Sequence, residues 1–251
     1  MGLFDFLGKK KPEGADNKAA TRTSGKEIAR LERLVASKLS QNYDRQEAIE
    51  QLTKVATADS AAALLKRFSW SMDPSITDHE EKESAVRGIA AAGKAALEPL
   101  RAYCKRAESI TWPLKALRQI VSQDELADEL LALLDQFDTE YVRNPEPKVQ
   151  LIKALEEFPS DEVRIAVEPF LGDASEPVRF AAVGNVLAMN DEASVSALIA
   201  QLQEEESLRV KNRLAQGLVD KGWAIPEDLG EACRTALPEA YRVANGKIQR
   251  A

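Results

Sequence analysis

The stretch Phe170-Leu-Gly-Asp-Ala-Ser-Glu-Pro-Val-Arg-Phe-Ala-Ala-Val-Gly-Asn-Val-Leu187 decides how the rest of the chain is read. It carries the marks of one helix ending, a tight corner, and a second helix beginning. Leu171 closes an apolar run, and Gly172 offers the positive φ that often ends a helix. Ser175 is a suitable cap for the next helix. Pro177 suits its first turn, where φ is already near the ring's value and no N–H is needed. Val178, Ala181, Ala182 and Val186 then recur at helical spacing, so one face of that helix is apolar.

The same opening recurs along the chain. An apolar residue followed by a polar or basic one starts helices at Val86-Arg87, Leu114-Lys115, Val149-Gln150, Val178-Arg179 and Val210-Lys211, in steps of 28, 35, 29 and 32 residues. Each step holds one helical hairpin. A hairpin that small cannot cover both of its faces, so a core forms only when neighbours stack. Asp173, Val178 and Arg179, followed by Ala181-Ala182, resemble the corner of a HEAT repeat, and the resemblance covers roughly residues 44–222. It implies an all-α superhelix of stacked HEAT-like hairpins, an armadillo-like α-solenoid. Asp173, Pro177, Val178 and Arg179 would be its structural corner residues. Gln150 stands where a basic residue would continue a corner ladder of Asp and Arg, so the ladder is expected to break there.

Working outward, Ser24 is positioned to cap a first helix whose stripe is Ile28, Leu31, Leu34, Val35 and Leu39. Val163, Ile165, Val167 and Phe170 mark the helix before the opening corner. After Gly222 the character changes. Gly222-Trp-Ala-Ile-Pro226 reads as a short strand, and residues 227–237 read as a helix. Residues 241–250 alternate around Asn245-Gly246, a strong hairpin signal. Trp223, Leu229, Leu237, Tyr241, Val243 and Ile248 would cover the last apolar face. The chain therefore divides into a disordered tail (1–25), a HEAT-like solenoid (26–221) and a strand–helix–hairpin cap (222–251).

The tail opens with Leu3, Phe4, Phe6 and Leu7, followed by Lys9, Lys10 and Lys11. Read as a short in-plane foot, its apolar residues enter the headgroup boundary and its lysines meet anionic lipid, at about 1 kcal/mol per cation. The opening resembles those of many bacterial soluble and peripheral proteins. The other readings are a frayed terminus or a tail docked on its own solenoid. Phe6 stands where a myristoylation signal needs Ser or Thr. Residues 12–25 have a linker composition.

The formal charge of −7 argues against broad nucleic-acid binding, which needs excess cationic surface. Cys104 and Cys233 are far apart in sequence and have no CxxC neighbour, which fits a reducing cytoplasm better than a disulfide framework or a zinc site. No run approaches the roughly 20 apolar residues of a membrane span. His79 lies among Asp78, Glu80 and Glu81, and a solvated acidic cluster at a helix start explains this grouping. There is no second imidazole, nucleophile elbow or glycine-rich phosphate loop. Catalytic, metal and cofactor residues are therefore all assigned as none.

Function is expected to lie in binding. The second helices of the hairpins would line a curved surface for a protein partner, with Arg101, Lys105, Asp128 and Arg164 as contact candidates. The place expected is the cytoplasm, at the inner membrane face if the foot is real. Two other readings follow from the HEAT resemblance, which also covers helical DNA glycosylases and bilin lyases. Lys105, Arg106, Lys115 and Arg118 around Trp112, or Lys247 and Arg250 on a winged terminal unit, would serve nucleic acid. No residue speaks positively for a lyase.

Overall fold

The computed structural model describes residues 25–251, so the membrane-contact candidates Leu3 to Lys11 and the cap Ser24 lie outside the described residues. The described part is all-α with one small hairpin. Its helices are α1 (Gly25–Ala36), α2 (Asn42–Val55), α3 (Ala58–Leu65), α4 (Ser75–Ala91), α5 (Leu97–Cys104), α6 (Thr111–Ile120) and α7 (Gln123–Leu134). They continue as α8 (Glu146–Leu155), α9 (Asp161–Val167), α10 (Glu176–Met189), α11 (Val195–Glu204), α12 (Leu208–Lys221) and α13 (Gly230–Ala236). Strands β1 (Tyr241–Ala244) and β2 (Lys247–Arg250) close the chain.

Most helices starting at the repeated sequence openings touch a neighbour of their kind. α4 packs on α2 and α6, and α10 packs on α8 and α12. The intervening helices make a second row, in which α3 touches α1 and α5, α7 touches α9, and α11 touches α13. One apolar cluster runs between the rows from Ile28 to Ile248. Each leucine fully enclosed there contributes about 1.5–3 kcal/mol relative to exposure. Asn185 is a polar exception on α10. Its Nδ2 donates to the Ile152 carbonyl of α8 at 2.6 Å, near the end of that helix, where carbonyls lack intrahelical partners. No helix among the described residues is long and apolar enough to cross a membrane.

Close approach between helices fixes Gly88 on α4. A Cβ there would meet Thr53 Oγ1 at 2.4 Å and Leu64 Cδ1 at 2.7 Å. Alanine favours a helix by about 1 kcal/mol over glycine, but overpacking costs about 1–3 kcal/mol. Gly88→Ala is therefore expected to lower the thermal midpoint despite its better helix propensity, and a melt followed by circular dichroism checks this.

Several local expectations are corrected. Gly172 does not take positive φ, which among described glycines belongs to Gly93, Gly222 and Gly246. The chain instead leaves α9 through a 3-10 turn, Glu168–Gly172. Ser175 holds the extended cap conformation without a side-chain cap bond. The Asp173 carboxylate does related work from inside the corner, its Oδ1 accepting the Ser175 N–H at 2.8 Å. Leu39 is 92% exposed because α1 ends at Ala36 before reaching it, and Ile165 on the short α9 is 62% exposed.

Residues 223–226 are not a strand. Ile225 N–H donates to the Gly246 carbonyl at 2.8 Å, but Pro226 has no N–H to extend a ladder. The cap is therefore a short extended segment, a helix and a hairpin. The hairpin itself forms as the sequence dictates. Val243 pairs with Ile248 and Tyr241 with Arg250, and Asn245 (φ 53°) and Gly246 (φ 71°) supply the two left-handed turn residues. Arg250 and Tyr241 both bond Gln216 of α12, so Arg250 is turned onto the helical body.

Candidate functional site

The corner residues form a ladder, though with other rungs than expected. Lys148 on α8 is 1% exposed and reaches across to Asp173 Oδ2 at 2.7 Å, while also donating to the Glu140 carbonyl at 3.0 Å. Arg179 on α10 grips Glu205 at the following corner through two 2.8 Å bonds, and its Nη1 donates to the Asp173 carbonyl at 2.9 Å. Asp173 and Glu205 play the same part, each accepting the N–H two residues ahead, of Ser175 and of Ser207. The ladder does not break at Gln150, because Lys148, two positions earlier, supplies the cation. Gln150 instead reaches back to accept the Ile110 N–H at 2.7 Å. Pro177 sits in the first turn of α10, and Val178 is buried.

A second buried network ties α2 to α4. Arg45 and Arg67 are enclosed, and both donate to Glu81: Arg45 Nη2 to Oε1 at 3.0 Å and Arg67 Nε to Oε2 at 2.7 Å. Arg67 also meets Asp78 at 2.7 Å, and Lys82 closes the set on the other Asp78 oxygen at 2.7 Å. The acidic cluster around His79 is thus only partly solvated, contrary to expectation. Asp78 and Glu81 face inward because helical spacing puts both on the side toward α2, while His79 and Glu80 are exposed.

Burial raises the pKa of the Asp78 carboxyl, but hydrogen bonds from Lys82 and Arg67 outweigh it and leave it below the ordinary value. Burial is likewise opposed at Glu205 by Arg179, the Ser207 N–H and Gln201, with the same net direction. Groups depressed in the folded state stabilise it fully above their unfolded pKa, about 4, and that contribution is lost as pH falls through the folded pKa. Stability is therefore expected to drop as the medium is acidified below about pH 4. Glu205→Gln should show a shallower drop in urea midpoint across that window.

These networks shape a groove. The cap of α3 is reciprocal, with Ser60 N–H donating to Thr57 Oγ1 at 3.3 Å and Thr57 N–H to Ser60 Oγ at 2.9 Å. From this cap α3 buries Ala61, Leu64 and Leu65, and turns Ala58 and Ala62 to the opposite side. The following turn (Lys66–Ser69) sends Arg67 inward and Phe68 outward. Trp70 then lies against the Arg67 guanidinium, 3.8 Å from the ring centroid, with Arg45 at 5.3 Å. On α5, Pro99, Ala102 and Tyr103 form the facing wall. Tyr103 meets Phe68 edge-on at 6.5 Å, and its hydroxyl is 3.4 Å from Ser69 Oγ.

The result is an open groove of about 1100 Å³ with an aromatic side and a small-residue floor, on the second-helix row. Lys38, Lys66 and Arg106 stand around it, as do Glu98 and Glu108. Phe68 also stacks on Trp112 at 6.1 Å, and Trp112 meets the exposed His79 edge-on at 5.1 Å. A smaller cleft of about 650 Å³ lies near His79 on the first-helix row, beside Tyr43, Glu80 and Arg87.

The contact candidates are placed unequally. Lys105 and Asp128 are exposed. Arg101 is half engaged, donating to Glu129 Oε1 at 2.6 Å. Arg164 is only 17% exposed and lies among Glu168 (3.2 Å), Asp191 (3.1 Å) and Asp161 (3.6 Å). Of the basic residues expected around Trp112, Lys115 is engaged with Glu83 and Arg118 with Glu157 at 2.8 Å, while Lys105 and Arg106 are exposed without an ion pair among the described residues. The groove has no signature in its aromatics, since Phe68 and Tyr103 lie at apolar helical positions and do pack against the core. The signal lay in Ala58, Ala62 and Ala102, small residues at helix positions facing the aromatics.

Neither thiol lies at an open surface. Burial pushes Cys104 up to about 12 and Cys233 up to about 11. Because the thiolate is the reactive form, both are expected to resist an aromatic disulfide reagent at pH 8 in the folded protein. Both should react promptly in denaturant, with absorbance counting the released thiolate.

A scan of protein-family models and searches of curated proteins and of solved structures each gave no match to this chain.

Proposed function

We propose that the chain is a non-catalytic, HEAT-like stack of helical hairpins that holds a segment of a protein partner in the groove between α3 and α5. The observation that carries this reading is the groove itself. It is open and aromatic, and it is built on the second-helix row. Its volume lies just above the range of small-ligand pockets, about 300–1,000 Å³, and its open side admits a continuing chain. Phe68, Trp70 and Tyr103 offer large contact areas at little cost in rotamer freedom, as anchor residues of interfaces do. The buried arginines behind Trp70 fix that wall in advance, so binding orders little that is not already ordered.

The test uses the full chain immobilised against lysate of the native host, beside an Ala102→Arg variant that fills the groove from an exposed position. Proteins retained by the parent and lost by the variant support the reading. Identical captured sets overturn it.

A further inference from the structure

Among the cations around the groove, Lys38, Lys66 and Arg106 have no ion pair or side-chain hydrogen bond among the described residues, and all three are exposed. Elsewhere some cations are engaged, as at Lys115 with Glu83, Arg118 with Glu157, Arg209 with Glu176 and Lys148 with Asp173, while others such as Lys54, Lys153 and Lys211 are likewise without such a bond among the described residues. What sets these three apart is their place: on a chain of formal charge −7 they border three half-buried aromatics, three cations against the two rim carboxylates Glu98 and Glu108.

We infer that the groove recognises an acidic linear peptide carrying an aromatic or large aliphatic anchor. This deepens the function proposed above and rests on it. The anchor lies against Phe68, Trp70 and Tyr103, over the space that Ala62 and Ala102 leave open. Carboxylates on either side of the anchor meet Lys38, Lys66 and Arg106, where complementary charge speeds encounter and sets the register. Glu98 and Glu108 share the rim. They disfavour a continuous phosphate backbone, which presents negative charge at every step. A peptide can instead place neutral residues or its backbone N–H groups beside them.

The test is selection of short random peptides displayed on phage against the full chain. Enriched sequences are then synthesised with a fluorescent label and titrated. The charge variant is Lys38→Glu/Lys66→Glu/Arg106→Glu, and the steric variant is Ala102→Arg. All four positions are exposed, and circular dichroism confirms folding of each variant. The expected result is enrichment of Asp and Glu around an aromatic or leucine. The charge variant should bind these peptides at least about tenfold more weakly, and raised salt should weaken binding to the parent.

Peptides blocked by Ala102→Arg but neutral or basic, and indifferent to the charge variant, overturn the acidic specificity and leave the groove reading standing. Failure to enrich any peptide, or peptides indifferent to Ala102→Arg, overturns both. A labelled oligothymidine that binds the parent and is lost in both variants assigns the groove to single-stranded nucleic acid and likewise overturns the inference.

Discussion

Glu81→Gln is expected to destabilise the protein by about 3–5 kcal/mol, the range for removing one partner of a buried ion pair. The substitution keeps shape and one acceptor but removes the charge facing two enclosed guanidiniums. Arg45 would retain the Ser40 carbonyl and Asn42, and Arg67 would retain Asp78. Asp78 would then be the one carboxylate of the network left against Arg45, Arg67 and Lys82. Arginine cannot relieve this by losing a proton, since its pKa exceeds 12. Urea unfolding followed by circular dichroism reads the loss. A change under about 1 kcal/mol, the scale of a surface pair, would mean that water reaches the guanidiniums. Because Trp70 rests on Arg67, its fluorescence should change in the folded variant as well.

The second large effect is expected at the rung between α8 and the corner after α9. Asp173→Ala leaves the Lys148 ammonium enclosed with the Glu140 carbonyl, and deprives the Ser175 N–H of its acceptor. The predicted cost is again about 3–5 kcal/mol for the unpaired charge, with about 1 kcal/mol more for the lost neutral bond. Lys148→Met alone should cost less than the pair's Coulomb attraction suggests, because burying the ammonium was itself unfavourable. The double variant Lys148→Met/Asp173→Ala is then expected to be more stable than Asp173→Ala alone. Equal stability of the two would show that Lys148 escapes to solvent when its partner is gone.

The helical hairpins were legible because they rest on local rules. Apolar residues at helical spacing, the corner before Pro177, and Asn245-Gly246 each act within a few residues. The corner after Phe170 was located correctly, but its chemistry was assigned to the wrong atoms. Ser175 looked like the cap and Gly172 like the terminator, yet the corner is fastened by Lys148, 25 residues upstream of Asp173. No local pattern reports a bond of that reach. The same holds for Glu81, which read as solvated until α2 and the turn after α3 brought two arginines to it.

The groove was hidden for a related reason. Phe68 and Tyr103 do pack on the core, as their spacing says, but each also turns one face to solvent. Spacing identifies the helix face a residue occupies and not whether the neighbouring helix covers all of it. Ile165 and Leu39 failed for the opposite reason: their helices end or turn before a neighbour can reach them.

The amide of Asn185 on the Ile152 carbonyl limits how the two helices carrying them can move. Slipping one along the other by a single turn, about 5.4 Å, would part donor from acceptor and leave both without water in hydrocarbon surroundings. That bond therefore opposes sliding of these two adjacent units by about 1–3 kcal/mol, and the Lys148–Asp173 rung a few residues away ties the same two units a second time.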